Sequence, residues 1–332
     1  MTSQPTVSVV IPTRNRADVL KAHALPSALA QRDVDVEVVV VDDGSDDDDD
    51  RRALEGLTDS RVRVVRHATR EGQSRPRYTG IDGALGEWIA FLDDDDLWSP
   101  DKLREQLDAA ATAHAEFVYT GGVMVDERRG GEVLSVMELF PPEGLLERLL
   151  RMNAIPAGAS TVIARSSVVR EVGGFDENLV QFTDWDLWIR LAAHGPAAVC
   201  PAALVAYCLH DSNQMLVEPP DVSHELEYMV GKHRAAGREM NPDRVYYAHW
   251  LAAGHRRVGR ERDAARIYLR AAVRYRDAGH LVRGLAMLAG ERAMRIGRRV
   301  INLVLRRPKH LPPPPPAPPW LSERSAGESG AV

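Results

Sequence analysis

The sequence predicts a doubly wound, mostly parallel α/β sheet flanked by helices, followed by an α-helical C-terminal appendage. Three observations predict it. Short apolar, β-branched runs recur through the first half of the chain, as strands buried on both faces of a parallel sheet require. Segments of helical character separate these runs, which implies crossover connections. Several runs end in polar clusters, and ligands of such sheets bind at the carboxyl ends of the strands.

Each element follows from its residues. Val7–Ile11 is the first strand, stopped at Pro12, and Ala17–Gln31 reads as a helix. Glu37–Val41 is the second strand, closed by the turn Asp42-Asp43-Gly44-Ser45, and Val62–Arg66 is the third. Ser74–Gly83 starts as a helix that Gly80 interrupts. Glu87–Leu92 is the fourth strand and runs into Asp93–Asp96. Ser99 as N-cap and Pro100 in the first turn open the next helix. Residues 117–231 read as mixed. Phe117–Val125, Ala159–Ala164 and Val199–His210 are strand-like, while Ser166–Val172 and Asp184–Ala193 are helical. From 222 to 307 the pattern is helical and rich in Ala and Arg. The Pro-rich stretch from Pro312 then leads into a polar tail of low hydrophobic content. The expected boundaries are a sheet domain over 1–220, a basic helical segment over 221–308 and a disordered tail over 309–332.

Composition narrows the function classes. The chain has 332 residues, 44% of them hydrophobic and 27% charged, as in an ordinary globular protein. Two cysteines cannot build a disulfide framework or a four-thiolate zinc site. No apolar run approaches the ~18 residues of a membrane span. The N-terminus lacks the basic and apolar regions of a signal peptide, so the expected location is cytoplasmic. Charge is divided unevenly. Residues 1–231 hold 21 Lys and Arg against 40 Asp and Glu, whereas residues 232–310 hold 20 against 6. An acidic body argues against a nucleic-acid partner. Within the basic part, residues 292–307 mix apolar and Arg positions at helical spacing. That segment would suit peripheral contact with an anionic membrane, at the inner face, or a helix packed on its own domain with a solvated Arg face.

The chemistry concentrates at strand ends. Asp93, Asp94, Asp95 and Asp96 repel one another unless cations compensate. Carboxylate oxygens suit Mg²⁺ or Mn²⁺, which commonly keep phosphate oxygens as further ligands. In an extended segment, positions two apart share a face, so Asp93 and Asp95 can point together. The run Asp46–Asp50 reads as a solvated loop.

Five motifs in order carry a resemblance. They are Val-Ser-Val-Val-Ile-Pro-Thr-Arg-Asn over 7–15, the Asp42–Ser45 turn, Gly86 to Asp96, Gly173-Gly174-Phe175-Asp176-Glu177, and Thr183-Asp184-Trp185-Asp186-Leu187-Trp188. With this order and spacing, residues 5–215 closely resemble family-2 glycosyltransferases of the GT-A fold. The resemblance implies a nucleotide-diphosphate sugar donor with UDP as the expected carrier, a divalent cation, a hydroxyl acceptor and inversion at the anomeric carbon. It implies that Pro12, Thr13 and Arg14 line the nucleotide pocket and that Asp43 accepts from the base. Asp93 and Asp95 would hold the metal, with Asp94 near the ribose. Arg77 would contact the donor, with Arg75 as a further candidate, and His210 would approach the diphosphate or metal. Asp184 matches the catalytic base. Thr183 stands where the family often has Glu, and Tyr78 where it often has Asn. Two rival classes remain. One is a sugar nucleotidyltransferase, although Pro12-Thr13-Arg14-Asn15 lacks the usual glycine. The other is a non-catalytic sugar-nucleotide-binding protein. The Gln-x-x-Arg-Trp motif of the processive branch is absent from the sequence, so addition of one or few sugars is expected.

Overall fold

The computed structural model describes residues 4–210, 223–257, 259–289 and 315–322. Two compact units divide them. The first comprises residues up to Leu209 together with those from Pro315 onward, and the second spans His210–Pro314.

One sheet organises the first unit. Its path is β3 (Val62–Arg66), β2 (Val36–Asp42), β1 (Val7–Thr13), β4 (Trp88–Phe91), β8 (Val162–Arg165), β6 (Phe117–Asp126), β9 (Ala197–Leu209) and β5 (Leu97–Trp98). β7 (Glu132–Val136) pairs with β6 beside this path. The first four strands are parallel. Beyond β4 the sheet is mixed, because β8 runs antiparallel to both neighbours while β6 and β9 are parallel. Val7, Val9, Val38, Val40, Trp88 and Ala90 are buried in one cluster, and Val10, Val39, Val41, Ile89 and Phe91 between them are buried as well, so both faces are covered and these strands read as nearly unbroken apolar runs. β1 has β2 on one side and β4 on the other. The connections therefore reverse direction there, and the carboxyl ends of these three strands open together.

The helices correct several expectations. The stretch from Ala17 is not one helix but two, α1 (Ala17–Ala22) and α2 (Ala24–Leu29), broken at His23 with φ −120° and ψ −85°. Pro26 explains the break, since its ring would meet the Ala22 carbonyl in a continuous helix. The acidic run is not a bare loop. Asp47 accepts from the Asp49 N–H and caps α3 (Asp48–Glu55), whose positive N-terminal dipole favours carboxylates. Gly80 does not interrupt α4 (Ser74–Gly83). A Cβ at Gly80 would come within 2.2 Å of a Val10 methyl, so glycine lets the helix lie close on β1. α5 (Lys102–Ala113) begins after Asp101, with no side-chain cap. Ala159–Ala164 divides into a 3₁₀ turn, Gly158–Thr161, and β8. α6 (Leu145–Leu149), α7 (Ser166–Glu171) and α8 (Thr183–His194) follow in this unit.

The expectation of a disordered tail over 309–332 fails for its described part. Leu321 is buried with Leu97, Val123, Val125, Val133, Ala206 and Cys208. The Trp320 indole N–H donates to the Ala203 carbonyl at 2.9 Å. Apolar area and one indole bond outweigh the polar composition around them.

The second unit is helical: α9 (Ser223–Ala235), α10 (Arg244–Arg257), α11 (Glu261–Tyr275) and α12 (Ala278–Leu288). Ala252, Ala264, Ala265, Tyr268 and Met287 form its buried cluster. The 292–307 segment lies outside the described residues. No described helix is long and apolar enough to cross a membrane.

Candidate active site at the carboxyl ends of β1, β2 and β4

The site starts with backbone register. Thr13 ends β1 beside Asp42 of β2, and the Leu92 N–H donates to the Val10 carbonyl. This brings the 93–96 run against the end of β1. The Thr13 hydroxyl donates to Asp94 Oδ2 at 2.8 Å. Arg16, which follows β1, bridges Asp94 Oδ1 at 3.0 Å and Asp95 Oδ2 at 2.8 Å. Arg77 of α4 pairs with Asp93. The mutual repulsion of the run is thus met by two guanidinium groups from different elements.

The four carboxylates have different environments. Asp96 is fully buried, accepting from the Ser160 hydroxyl at 2.5 Å and the Cys208 N–H at 3.2 Å. Burial, then Asp95 and Asp93, pushes its pKa well above the ordinary carboxylate value. Asp96 therefore anchors the run to β9 through these two hydrogen bonds. Burial also raises Asp94, with Asp95 adding to the rise and Arg16 opposing it. The Asp93 side chain, 29% exposed, is the most open of those paired with an arginine.

Asp43 is tied to the next loop. Its carboxylate accepts from the Glu71 N–H at 2.8 Å and the Gly72 N–H at 3.0 Å, and meets His67 Nδ1 at 3.1 Å. His67 Nε2 lies 2.9 Å from the Thr79 hydroxyl. Gly44, with φ +67°, brings the turn so near that a Cβ would lie 2.5 Å from the Thr69 carbonyl carbon. The expected base-contacting residue is therefore held in place by loop backbone.

Asp184 lies in the first turn of α8. Its carboxylate accepts from the Trp185 N–H at 2.7 Å and from the Asn153 amide at 3.4 Å. Burial raises its pKa to about 6; the Trp185 N–H and Arg77 oppose the rise, and Asp93 adds to it. Arg77 and Asp93 thus couple Asp184 to the aspartate run. Arg77 is seated over the Phe175 ring at 5.6 Å, and Phe175 packs edge-on against Phe91 of β4 at 5.0 Å. The Gly173–Glu177 motif therefore supports the arginine that pairs with Asp93. Asp186 is wholly buried and paired with Arg190 at 2.7 Å.

Other expected residues fall at the edge of this arrangement. Pro12 sits in the sheet opposite Val41. Arg14 turns to Asp46 at 3.3 Å. Arg75 bonds Glu71 at 3.2 Å and Glu177 at 2.8 Å. His210 directly follows β9 and opens the second unit. Sequence reasoning missed Arg16, Ser160, His67 and Asn153. Only Arg16 left a signal: four adjacent carboxylates demand cations, and Arg16 stands just past the facing strand.

The donor set can be tested for a divalent cation. Among the described residues, no group of three or more His, Cys, Asp or Glu side chains is gathered to hold one. Mg²⁺ and Mn²⁺ need only one or two carboxylates when phosphate oxygens complete the shell. Asp93 and Asp95 supply hard oxygens of that kind, so the residues fit a cation that arrives with a diphosphate.

The reversal at β1 and the carboxylates at the strand ends define an α/β domain of the GT-A type. The chain belongs to glycosyl transferase family 2: residues 8–172 match the family model of that description. A curated relative is the succinoglycan biosynthesis protein ExoO of Rhizobium meliloti. It is 42% identical over 218 residues, which cover 63% of this chain and 62% of ExoO. An uncharacterized glycosyltransferase of Rickettsia felis is 32% identical over 56% of this chain and 30% of its own length. The chain thus spans less than two thirds of either relative. The Escherichia coli protein WfgD, a UDP-Glc:alpha-D-GlcNAc-diphosphoundecaprenol beta-1,3-glucosyltransferase, is 27% identical over 56% of this chain and 69% of its own. Among solved structures, S. aureus TarS residues 1–349 superpose with a TM-score of 0.52 at 18% identity, covering 85% of this chain and 79% of that one. The same protein in complex with UDP-GlcNAc gives 0.55 at 15% identity, covering 91% and 92%. These structural likenesses concern the fold.

Proposed function

We propose that this chain transfers a sugar, with inversion, from a nucleotide-diphosphate sugar to an acceptor hydroxyl. Asp184 is the general base, and UDP is the nucleotide. The observation that carries the reading is the electrostatic coupling of Asp184 to the Arg77–Asp93 pair at the end of β4. A carboxyl raised to about 6 is still ionised at neutral pH, yet is more basic than a solvated one. It takes the proton of the acceptor hydroxyl as that oxygen attacks the anomeric carbon from the face opposite the leaving diphosphate. Asn153 and the Trp185 N–H orient the carboxylate for that step. Thr13 and Arg16 hold Asp94 beside the nucleotide, and Asp43 accepts from the base. Asp93 and Asp95 would hold Mn²⁺ or Mg²⁺, which when bound offsets charge on the departing diphosphate. Arg77 can follow either partner, Asp93 or a phosphate oxygen. The names of WfgD and of the TarS complex support a UDP-linked donor.

Thermal shift with a panel of nucleoside diphosphates, each with Mn²⁺ or with EDTA, tests donor and cation together. UDP should stabilise the protein most, and more with Mn²⁺, because ligands that bind only the native state raise its stability. Equal shifts with Mn²⁺ and EDTA would remove the metal from the reading, and a larger shift with another base would remove UDP.

A further inference from the structure

The second unit contains a cleft of about 530 Å³ lined by residues of this unit alone. Its floor is apolar: Tyr247 and Leu251 of α10 and Ala271 of α11 are buried along it. Its rim is cationic. Arg266, Arg270 and Arg274 of α11 are exposed and stand four residues apart, so they stack along one helix face at steps of about 6 Å. Arg244 of α10 joins them.

The charges on this rim are only partly matched. Arg244 pairs with Glu227 at 3.4 Å and Arg266 with Asp263 at 2.9 Å. Arg270 and Arg274 pair with no carboxylate among the described residues. Folding does not call for this row. α11 is anchored by its opposite face, where Ala264, Ala265 and Tyr268 are buried with Ala252 and Met287. Like charges at this spacing weaken a helix, so the row opposes the fold that carries it. A guanidinium fork matches the oxygens of a phosphoryl group. The apolar floor matches a substituent that avoids water, and the volume lies within the range of small-molecule sites.

We propose that this cleft binds a phosphoryl anion borne on an apolar chain, with Arg270 and Arg274 as the principal phosphate contacts. A soluble phosphate ester and a membrane lipid headgroup share that chemistry. The site is separate from the donor reading, and its test requires no turnover.

Calorimetry with dodecyl phosphate below its micellar concentration, on the full chain, is the primary test. Wild type should bind it, and Arg270→Gln/Arg274→Gln should bind at least tenfold more weakly with a melting temperature no lower than that of wild type. Dodecyl maltoside, with the same chain and no charge, should not compete. Equal affinity in wild type and variant, or no binding in either, would overturn the proposal. Flotation with phosphatidic-acid vesicles then separates the two sources, using Arg298→Gln/Arg299→Gln to control for the basic segment beyond α12. Flotation lost in the cleft variant identifies a membrane lipid headgroup. Calorimetric binding with flotation indifferent to the cleft variant identifies a soluble ester.

Discussion

The end of β4 and the face of α11 handle like charge in opposite ways. At β4, four consecutive aspartates are placed in partial or full burial, and the first unit supplies its own compensation. Arg16 spans Asp94 and Asp95, Arg77 takes Asp93, and Asp96 accepts from the Ser160 hydroxyl and the Cys208 N–H. At α11, Arg270 and Arg274 remain in solvent without a carboxylate among the described residues. The contrast follows from solvation. A buried uncompensated charge costs several kcal/mol, so a buried cluster must carry its counter-ions within the fold. An exposed row is screened by water and salt and can wait for a ligand. The acidic site therefore carries its own counter-ions, and under the proposed function a donor would exchange partners with these arginines.

That comparison can be broken at several points. The largest effect is expected at Asp184. Asp184→Asn removes the base while keeping its shape, so kcat should fall by about 10²- to 10⁴-fold with donor KM nearly flat. Its melting temperature should not drop, because the amide need not ionise in a half-buried site. Near-normal transfer would place the base elsewhere. Asp186→Asn is not a mild control for this experiment, since it breaks the buried pair with Arg190 and removes charge from an interior site.

Next is Arg16→Met, which deletes the compensation for Asp94 and Asp95. Breaking a buried pair this way costs about 3 kcal/mol, read as a lower denaturation midpoint in urea. Added Mn²⁺ should restore part of that loss. A variant as stable as wild type would mean that the aspartates are neutral without Arg16.

Leu321→Ala tests whether the C-terminal segment belongs to the first unit. A buried leucine truncated in a cluster with Val123 and Val125 should cost about 2 kcal/mol. No change in the urea midpoint would show that residues 315–322 add little to the core.

The smallest effect concerns pH. The folded pKa of Asp184 is raised, to about 6, so the base is ionised above that value and lost below it. Transfer should be flat from pH 7 upward and fall about tenfold per pH unit below 6. A profile flat down to pH 4.5 would contradict the raised carboxyl.

Legibility in the sequence followed the range of the interactions. The parallel strands β1, β2 and β4 were readable because burial on both faces makes the requirement local: Trp88–Phe91 is apolar throughout, and Val7–Ile11 is apolar except for Ser8, whose hydroxyl donates to the Glu37 carboxylate. The aspartate run and Asp184 were readable as motifs. Their environments were not. Asp184 and Asp186 differ by two positions on one helix, yet one faces Arg77 and Asp93 while the other is sealed against Arg190. The break at His23 could have been taken from Pro26, a local steric signal that the long helical reading overrode.

The sequence by itself determined the sheet class, the strands that end in carboxylates and the family. Short-range rules suffice for these, since period, β-branching and motif spacing are properties of neighbouring residues. Only the tertiary structure decided which cations meet the aspartates, which carboxyl is raised by burial, and that Leu321 returns to the sheet. Arg16 lies 79 residues from Asp95, and Trp320 lies 117 residues from Ala203. Pairings at such separation depend on how the whole chain closes, and desolvation exists only once it has.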